Sequence, residues 1–474
     1  MSDPSRPSRR RSPSPRAPRV RPPSTGRLRR GWRTSLAATS FLTALTAVVL
    51  AATGCGGPSG TATSTVKGTV TDFYGNPIPG INVYLEGHAT TTAADGSFEA
   101  DGVHAPYDVI VSFPTYQFVM VYQGLTRVDP TLPIYDGNLA AYTTSMSGTV
   151  GTTARASDEG GLLVPAGSGL ADGVVQLASG GGPSFGPASV SWAGSATRPT
   201  TLYALTAHLD SNSLPTSYTG FGSLSLDLQD ATPASGLTVP LNSVATASMD
   251  GTFAVPAGYT LGNAGVLLRL GNADRGAMIG VPAANLTIGG SSTGNHVPVL
   301  SGTIAYGLAA AADDGAGSDA FAWTPVPGPG TTSTLTVPPA SEPVEPADNA
   351  TGIAAGATFT WTKVPDALYV AWLEPGSSSY PTVLVVTTKT SITLPDLSVV
   401  NRPLPSNVDY GYSVLASGPF ASIDEAMGPT GAWTRSYAVY ALLSFSSPAV
   451  TGPVDDHGTV FYTQSPYRTF TTAP

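Results

Sequence analysis

The stretch "VKGTVTDFYGNPIPGINVYLEGHATTTAADGSFEADGV", Val66–Val103, predicts the fold class of this chain. In its first segment Val66, Gly68 and Val70 point one way, and the residues that alternate with them, Lys67, Thr69 and Thr71, point the other. This is the period-two pattern of a half-buried strand. Glycine and proline then mark a tight connection, and the Asp95-Gly96 pair marks a second turn. Short strands separated by such turns are typical of an antiparallel β-sandwich.

The same stretch resembles the carboxypeptidase regulatory-like domain, a small transthyretin-like β-sandwich of exported bacterial proteins. The residues that carry the resemblance are turn residues and alternating apolar residues: Gly68, Val70, Asp72, Gly75, Pro77, Gly80, Val83, Thr92, Asp95, Gly96 and Phe98. Each also has a physical task, since Ile81, Val83 and Leu85 form one inward face and the turn at Asp95 directs Phe98 into the core. The resemblance implies a scaffold or binding domain over residues 62–143, without catalytic residues.

The rest of the chain has the composition of further sandwiches. It contains 54 glycines and 43 prolines, with 41% hydrophobic and only 11% charged residues. Alternation recurs in "SLSLDLQD", Ser223–Asp230, and Asp-Gly pairs at Asp172 and Asp250 predict turns. The best helical pattern is the short "SIDEAMG" that begins at Ser422. We therefore expect an all-β protein of tandem antiparallel β-sandwich domains after a disordered signal region.

Residues 341–474 resemble a fibronectin type III-like β-sandwich. A proline-rich entry precedes "TFTW", where Phe359 and Trp361 lie on one face of a strand, and "YRTFTTAP" has the pattern of a closing strand. We expect Trp361 to pack between two sheets, because a large aromatic side chain is most simply accommodated there. The chain departs from the pattern by an insertion at Pro419–Pro448, which predicts an added loop or hairpin.

A middle β-rich domain is expected at residues 144–322. "MSGTVGTT" at Met146 echoes "VKGTVTDF" at Val66, and "MDGTFAVP" at Met249 echoes "ADGSFEAD" at Ala94, so this region has the pattern of a related sandwich with insertions. The glycine-rich "ASGGGPSFGPAS" at Ala178 is best interpreted as a loop. The proline-rich residues 323–340 predict a semi-rigid linker.

The single cysteine, Cys55, follows segments that are typical of an export signal. Eleven arginines and one acidic residue fill residues 1–33, and the apolar run Leu36–Ala52 precedes "AATGC". This arrangement resembles bacterial lipoprotein signals, although Ala52 stands where that family usually has leucine. We expect residues 1–54 to be a signal peptide, Cys55 to be the acylated N-terminus, and residues 55–61 to be a tether.

Other interpretations of this region are weaker. The apolar run is long enough for an uncleaved membrane anchor, but its threonines and serine make it a poor permanent span. A buried thiol at Cys55 lacks a neighbouring apolar pattern. Arg29 and Arg30 leave a twin-arginine export signal open. Gly56, rather than aspartate, follows the cysteine, which favours the outer membrane or cell surface in a cell with two membranes.

Charge excludes one class of partner. Without residues 1–33 the chain keeps 11 basic and 30 acidic residues, a net charge of about −19. Nucleic-acid binding needs clustered positive charge, so no nucleic acid is expected. Electrostatic docking on anionic lipid is disfavoured for the same reason, which leaves the acyl chain at Cys55 as the membrane contact.

Few residue patterns indicate a metal-binding or cofactor site. The histidines are dispersed, without a pair at metal-binding spacing: His88, His104, His208, His296 and His457. His208 is expected to face solvent from a strand. The aspartates of two loops, "DDGAGSD" with Asp313, Asp314 and Asp319 and "DDHG" at Asp455, are candidate calcium ligands, although neither follows the EF-hand order. No cofactor is predicted.

Aromatic residues offer a candidate glycan surface at Trp433 and Tyr437, with Tyr380 and Tyr440 in similar stretches. Their alternative role is ordinary packing. We therefore expect a non-catalytic, lipid-anchored envelope protein that acts as a structural, adhesive or protein-binding module, with an envelope protein or polysaccharide as its partner. The alternatives are a carbohydrate-binding accessory lipoprotein and a hydrolase with an unrecognised site in residues 144–322.

Overall fold

β-Strands dominate the described part of the chain, with short helical turns at a few places in the connections between them. In this computed structural model the described residues are 63–134 except 74, 115 and 116, then 142–167, 170, 173–271, 277–282, 291–302, 304–429, 433, 449–451 and 458–474. Residues 60–474 form one compact unit. Two of these turns are a 3₁₀ helix, Leu397–Val400, and α1, Ile423–Ala426, whose N-cap hydroxyl at Ser422 accepts a hydrogen bond from the Glu425 amide. The all-β prediction and the short helix after Ser422 are confirmed.

The first sandwich is built by seven strands, and its alternating apolar residues point inward. They are β1 (Ser64–Thr71), β2 (Asn82–Leu85), β3 (His88–Thr91), β4 (Ser97–Val103), β5 (Tyr107–Ser112), β6 (Phe118–Leu125) and β7 (Thr131–Pro133). One sheet has the order β4-β1-β7, in which β1 is antiparallel to β4 and parallel to β7, and the facing sheet has the order β6-β5-β2-β3. Ile81, Val83, Leu85 and Phe98 are buried, as the sequence predicts.

The second sandwich repeats this topology. Its strands are β8 (Tyr142–Val150), β9 (Glu159–Ala166), β10 (Val175–Leu177), β11 (Ser184–Trp192), β12 (Thr197–Leu209), β13 (Pro215–Gln229) and β14 (Ala234–Val239). The sheets have the orders β11-β8-β14 and β13-β12-β9-β10, and β8 is again antiparallel to one neighbour and parallel to the other. Trp192 and Leu202 lie fully buried between them.

The third sandwich has the same topology once more. Its strands are β15 (Ala245–Ala254), β16 (Thr260–Leu270), β17 (Ala277–Pro282), β18 (Ser291–Val299), β19 (Ile304–Asp313), β20 (Asp319–Val326) and β21 (Thr332–Thr336). The sheets have the orders β18-β15-β21 and β20-β19-β16-β17. The middle region therefore holds two sandwiches of the first sandwich's design.

A short pattern marks the first strand of each copy: "VKGTV" in β1, "MSGTV" in β8 and "MDGTF" in β15. In the first two copies the shared glycine sits where a side chain has no room, while in the third a Cβ at Gly251 would lie 3.0 Å from the Phe253 ring. A Cβ at Gly68 would overlap the ring of Phe98, and one at Gly148 would overlap the carbonyl oxygen of Leu237. Glycine therefore allows the neighbouring strand or its side chain to approach closely.

The correspondence of the three first strands confirms one predicted sequence similarity and corrects another. "MSGTVGTT" does correspond to "VKGTVTDF". "MDGTFAVP" corresponds to the same first strand and not to the Asp95-Gly96 turn, because Asp250 and Gly251 lie inside β15. Met249, Gly251 and Phe253 are buried in alternation, so packing of one strand face prevails over the turn preference of an Asp-Gly pair.

The predicted linker at residues 323–340 is wrong. Trp323 belongs to β20 and is fully buried, and β21 pairs in parallel with β15. Leu335 and Val337 fill the third core. The seventh strand of each copy completes the sheet beside the first strand, so these prolines flank a buried strand. The predicted loop at residues 178–189 is also wrong in its second half, because β11 begins at Ser184 and buries Phe185.

The fourth sandwich occupies the C-terminal region. The strands of this region are β22 (Pro343–Glu345), β23 (Ala350–Ile353), β24 (Thr358–Trp361), β25 (Leu368–Pro375), β26 (Thr382–Thr387), β27 (Ser391–Thr393), β28 (Asp409–Gly418), β29 (Ala449–Thr451), β30 (Val460–Gln464) and β31 (Arg468–Thr472). Of these, β29 pairs with β17 of the third sandwich. The sheet β22-β24-β27 faces the strands β26, β25, β28, β31 and β23. Trp361 is buried 5.5 Å from the ring of Tyr369, and β31 closes the sandwich, as predicted.

Strand pairing joins the sandwiches side by side. β26 pairs in parallel with β6 of the first sandwich. β30 pairs on one side with β28 of the fourth sandwich and on the other side with β20 of the third. The result is one 15-stranded sheet that runs through the first, third and fourth sandwiches. Its two faces belong to different cores: Val119 and Val121 of β6 point into the fourth core, while Met120 and Tyr122 point into the first.

We expect Gly148→Ala to lower the free energy of unfolding by about 1–3 kcal/mol, because the new methyl group collides with the Leu237 backbone and the strand pair must move apart. Chemical denaturation monitored by fluorescence measures this change. Gly182→Ala in the same sandwich is the control, since nothing lies within 4 Å of its Cβ position. Equal stability of the two variants would contradict the close-approach role of the shared glycine.

Candidate functional site

Several predicted site residues lie outside the described part of the chain. They are Cys55 with the apolar run Leu36–Ala52, and Tyr437, Tyr440 and the aspartates at 455 and 456. Acylation at Cys55 and a glycan contact by Tyr437 therefore stay predictions. Within the described residues, no helix is both long enough and apolar enough to cross a bilayer.

Trp433 does not have the exposed position that a glycan platform needs. Its side chain is only 4% exposed and packs edge-on against Phe73, with ring centroids 5.2 Å apart. It covers the face of the fourth sandwich's sheet near Leu384 and Leu415, whose apolar side chains would otherwise contact water. The exposed aromatic surface expected at Trp433 is therefore a packing position, while Tyr380 does lie at the surface.

The three aspartates of "DDGAGSD" lie together at the β19–β20 hairpin. Asp313 and Asp319 are paired across the two strands. Backbone amides already occupy two of the carboxylates: Asp313 accepts from Gly315 N at 3.1 Å, and Asp314 accepts from Ser318 N at 2.9 Å. Across the described ranges, no group of three or more histidine, cysteine or acidic side chains is arranged to hold a metal ion. Calcium binding at this hairpin stays a prediction.

The pKa values of Asp319 and Asp314 shift in opposite directions. Partial burial, together with the nearby charges of Asp313 and Asp314, raises the pKa of Asp319. Hydrogen bonds from Ser318 lower the pKa of Asp314. The hairpin therefore carries a repulsion that acts while all three carboxylates are ionised.

Two of the histidines lie beside surface carboxylates. His208 Nδ1 lies 3.0 Å from a carboxylate oxygen of Asp158, and His104 Nδ1 lies 3.4 Å from Glu86. His208 is partly exposed at the end of β12, as expected for a solvent-facing strand residue. Pairs of this kind contribute little to stability and do not form a site.

A cleft that the sequence did not reveal lies on the outer face of the second sandwich. Its volume is about 460 Å³, and β9, β12 and β13 form its floor, with Gly271 of the third sandwich at one side. The lining is mostly polar and small: Ala166, Gly167, Pro199, Thr200, Thr201, Tyr203, Ser225, Leu226, Asp227 and Gly271. The cleft is large enough for a small ligand.

Cross-strand register builds the polar side of this cleft. Thr201 lies opposite Ser225, with their hydroxyl oxygens 3.5 Å apart, and Tyr203 stacks on Phe221 with ring planes 15° apart. The phenol of Tyr203 is protonated at neutral pH and can donate a hydrogen bond, and burial raises its pKa further above the ordinary value of 10.0. With the exposed carboxylate of Asp227, the cleft combines an aromatic face with donors and acceptors, a set that suits a hydroxyl-rich ligand.

A second cavity of about 370 Å³ lies between the second and third sandwiches. Its lining is largely apolar and includes Leu205, Leu209, Tyr218 and Ile279. Gly160 forms part of its wall, where a Cβ would contact Leu209. The cavity offers mainly dispersion contacts and few groups that would orient a ligand.

The sequence of the first sandwich matches a known domain family. Residues 65–130 match the family model of the carboxypeptidase regulatory-like domain. These residues run through β1–β6, and the resemblance drawn from Gly68 to Phe98 is thus confirmed. No curated protein matches the chain. The family match covers one sandwich, and the next two sandwiches share its strand order.

Two solved structures show remote similarity. The major pilin subunit of Bacillus cereus is 9% identical, and the match covers 58% of this chain and 99% of that one with a TM-score of 0.13. The tetra-tandem repeat in the extending region of a large adhesion protein is 13% identical, covering 76% and 96%, with a TM-score of 0.12. TM-scores this low do not establish a shared fold.

We expect Asp319→Asn to raise Tm at pH 7 by about 1 °C, because it removes the repulsion between carboxylates across the hairpin. The folded-state pKa of Asp319 lies above its ordinary value of 3.8, so the wild type loses stability as pH rises through that pKa. The advantage of the variant should therefore disappear below pH 3.8, where the carboxyl is protonated in both states. Thermal unfolding at several pH values measures it.

The same variant tests the calcium prediction. If calcium binds these carboxylates, millimolar calcium should raise the Tm of the wild type and leave Asp319→Asn unchanged. An equal response of both proteins, or none, would argue against a site at the hairpin.

Proposed function

We propose that this protein is a non-catalytic, lipid-anchored component of the bacterial cell envelope, in which joined β-sandwiches form a structural, adhesive or protein-binding body. The observation that carries the proposal is the pairing of β26 with β6 and of β30 with β20. These pairs place backbone hydrogen bonds across the boundaries between sandwiches. Such boundaries resist separation better than flexible linkers do, which suits a body that presents surfaces at a distance from a membrane.

The sandwiches have distinct places in this proposal. Residues 62–143 form the regulatory-like domain, residues 144–322 with the strand β21 hold two copies of the same design, and residues 341–474 form a fibronectin type III-like sandwich. In the last of these, the edge strand β23 adds to β31, and aromatic residues such as Trp361 fill the core. Modules of both kinds serve as scaffolds and binding surfaces on many proteins.

The N-terminal region supplies the proposed location. The basic segment and the apolar run before Cys55 direct export, and acylation of Cys55 attaches the chain to the outer membrane or cell surface through a tether that ends at residue 61. An acidic body with few lysines and arginines would stay clear of an anionic lipid surface, so the acyl chains would make the membrane contact. The partner would be an envelope protein or a polysaccharide.

Mass spectrometry of the membrane fraction of the native host tests the anchor. We expect a mature N-terminus at Cys55 that carries acyl chains in the wild type, and loss of the protein from the membrane fraction for Cys55→Ala, because the acyl chains provide the hydrophobic attachment. Cell fractionation with immunoblotting gives the distribution.

Thr53→Ala is a matched control, since it keeps a small residue before the cysteine. A wild-type chain that retains Leu36–Ala52, or one without acyl groups, would overturn the anchored location and leave the joined sandwiches as the remaining basis of the proposal.

The cleft on the second sandwich favours a second candidate, carbohydrate binding. Tyr203 offers an aromatic face, while the hydroxyls of Thr201 and Ser225 and the carboxylate of Asp227 offer hydrogen-bonding groups to sugar hydroxyls. A glycan-binding accessory role at the cell surface would use this cleft rather than Trp433.

Glycan-array binding by the purified protein tests this candidate. We expect Tyr203→Ala and Asp227→Asn each to weaken binding about tenfold or more, since each removes a direct contact to the sugar. Tyr380→Ala is the control, because Tyr380 is exposed outside the cleft. Binding that is absent in the wild type, or equally affected by Tyr380→Ala, would rule the cleft out as a glycan site.

A further inference from the structure

The cavity of about 370 Å³ between the second and third sandwiches has a wall that is partly built from glycine. A Cβ at Gly160 would lie 2.9 Å from the side chain of Leu209. A Cβ at Gly161 would lie 2.5 Å from the carbonyl oxygen of Leu205. Ile279 of β17 lines the cavity from the third sandwich. Close-packed interiors contain few voids larger than a water molecule, so a space of this size is a distinct feature of this junction.

The lining of this cavity is mainly apolar and carries no charge. Its apolar side chains come from both sandwiches: Leu162, Leu177, Ala178, Leu205, Ala207, Leu209, Pro215 and Ile279. Exposed Gln176, Ser179 and Ser213 lie at the rim. None of the described lining residues is basic or acidic. An ion that entered such a space would lose water without gaining an opposite charge, so the lining favours an uncharged molecule.

Tyr218 adds one polar group to this lining. Its side chain is only 6% exposed, and its backbone amide donates to Thr246 Oγ1 at 2.7 Å. Its hydroxyl makes no hydrogen bond within the described part of the chain. Other buried phenols donate to backbone carbonyls, as Tyr306 does to Pro298 at 2.7 Å. A buried polar group ordinarily has a partner, so the Tyr218 hydroxyl lacks something that most buried groups have.

The open space next to the Tyr218 hydroxyl is the cavity. The hydroxyl of Tyr412 has no partner and is fully enclosed by protein atoms, whereas the Tyr218 hydroxyl is not among the enclosed atoms. Because Tyr218 lines the cavity, its hydroxyl meets the space inside it. The phenol is protonated at neutral pH, and burial raises its pKa further. The cavity therefore offers a hydrogen-bond donor to whatever occupies it.

We propose that this cavity, the Tyr218 cavity, binds one molecule of an uncharged, mainly aliphatic ester. Its hydrocarbon chain lies against the leucines, and its ester carbonyl accepts a hydrogen bond from the Tyr218 hydroxyl. The proposal goes beyond the anchored scaffold role, and it depends neither on acylation of Cys55 nor on glycan binding in the cleft at Tyr203.

The single donor selects among apolar ligands. A pure hydrocarbon would fill the space but leave the Tyr218 hydroxyl without a partner and cut off from water, which is unfavourable. A sugar would place many hydroxyls against leucine side chains that offer them no partner. An ester carbonyl supplies one acceptor on an otherwise apolar chain, and it matches a lining with one buried donor.

Charges around the rim do not favour a fatty acid anion. Arg155 lies beside the rim, where its Nε donates to the Ala178 carbonyl at 3.1 Å, but it is not among the lining residues. On another side, the carboxylate of Asp210 accepts from the Leu214 amide at 2.9 Å, next to Ser213. The mature chain also has a net charge of about −19. A carboxylate ligand would thus meet overall repulsion and no cation inside the cavity.

Isothermal titration calorimetry with 1-monolauroylglycerol tests the ligand class. The full chain with Cys55→Ser is used, because it carries no acyl group of its own that could occupy the cavity. We expect saturable binding of one molecule below the critical micelle concentration, with a matching rise in Tm. Laurate has the same hydrocarbon chain and a charged head, and it should bind about tenfold more weakly or less.

Two pairs of variants place the ligand in the cavity. Tyr218→Phe should keep the Tm of the free protein, because the lost hydroxyl had no partner, and should weaken monolauroylglycerol binding about fivefold or more. Tyr380→Phe, at an exposed tyrosine outside the cavity, is its control. Ala178→Trp adds bulk at the exposed rim and should block entry, while Ala154→Trp, also exposed but outside the lining, should leave binding unchanged.

The outcomes separate the parts of the proposal. Saturable binding that falls in Tyr218→Phe and Ala178→Trp, but not in their controls, supports the Tyr218 cavity as an ester site. Laurate binding as tight as that of the ester would overturn the uncharged class. Absence of saturable ester binding, or binding that neither Tyr218→Phe nor Ala178→Trp weakens, would overturn the site itself.

Discussion

Backbone amides and carbonyls at the edge of a sheet need partners, and this requirement organises the molecule. The four-stranded sheet of each repeated sandwich ends in an edge strand, and the fourth sandwich supplies partners for two of these edges, with β26 on β6 and with β30 on β20. Because these pairs form between sandwiches, the same hydrogen bonds that satisfy the edges also join the cores. Trp323 shows the consequence, since it belongs to the third sandwich but packs in the core that includes the first.

The repeated design explains how one chain builds three similar sandwiches without strong sequence similarity. What is kept is the constraint on the first strand, where a glycine lets the neighbouring strand or its side chain approach and apolar residues on either side point inward. The remaining strands vary widely in length, from three residues in β7 to 15 in β13. Strand length and loop content can vary because the core depends on alternation and total packing rather than on particular residues.

The proposed function uses surfaces of the sandwiches rather than a catalytic centre. The cleft with Tyr203 lies on the second sandwich, whose sixth strand pairs with no strand of the fourth sandwich in the described part of the chain. The aromatic residue first considered for ligand contact, Trp433, instead covers an apolar sheet face. An aromatic residue in an irregular stretch thus provides no evidence of exposure until the sheet beneath it is known.

The sequence by itself determined the strand content, the regulatory-like sandwich at its start, the inward faces of Val83 and Phe98 and the core position of Trp361. These features depend on local alternation and turn chemistry, which residues close in sequence specify. Only the tertiary structure decided that Asp250 lies inside a strand, that residues 323–340 complete a buried sheet, and that three sandwiches share one topology. It also decided which edges pair and which side chains meet in the cleft, because such contacts join strands hundreds of residues apart, such as β6 and β26, and no local pattern records the partner of a strand.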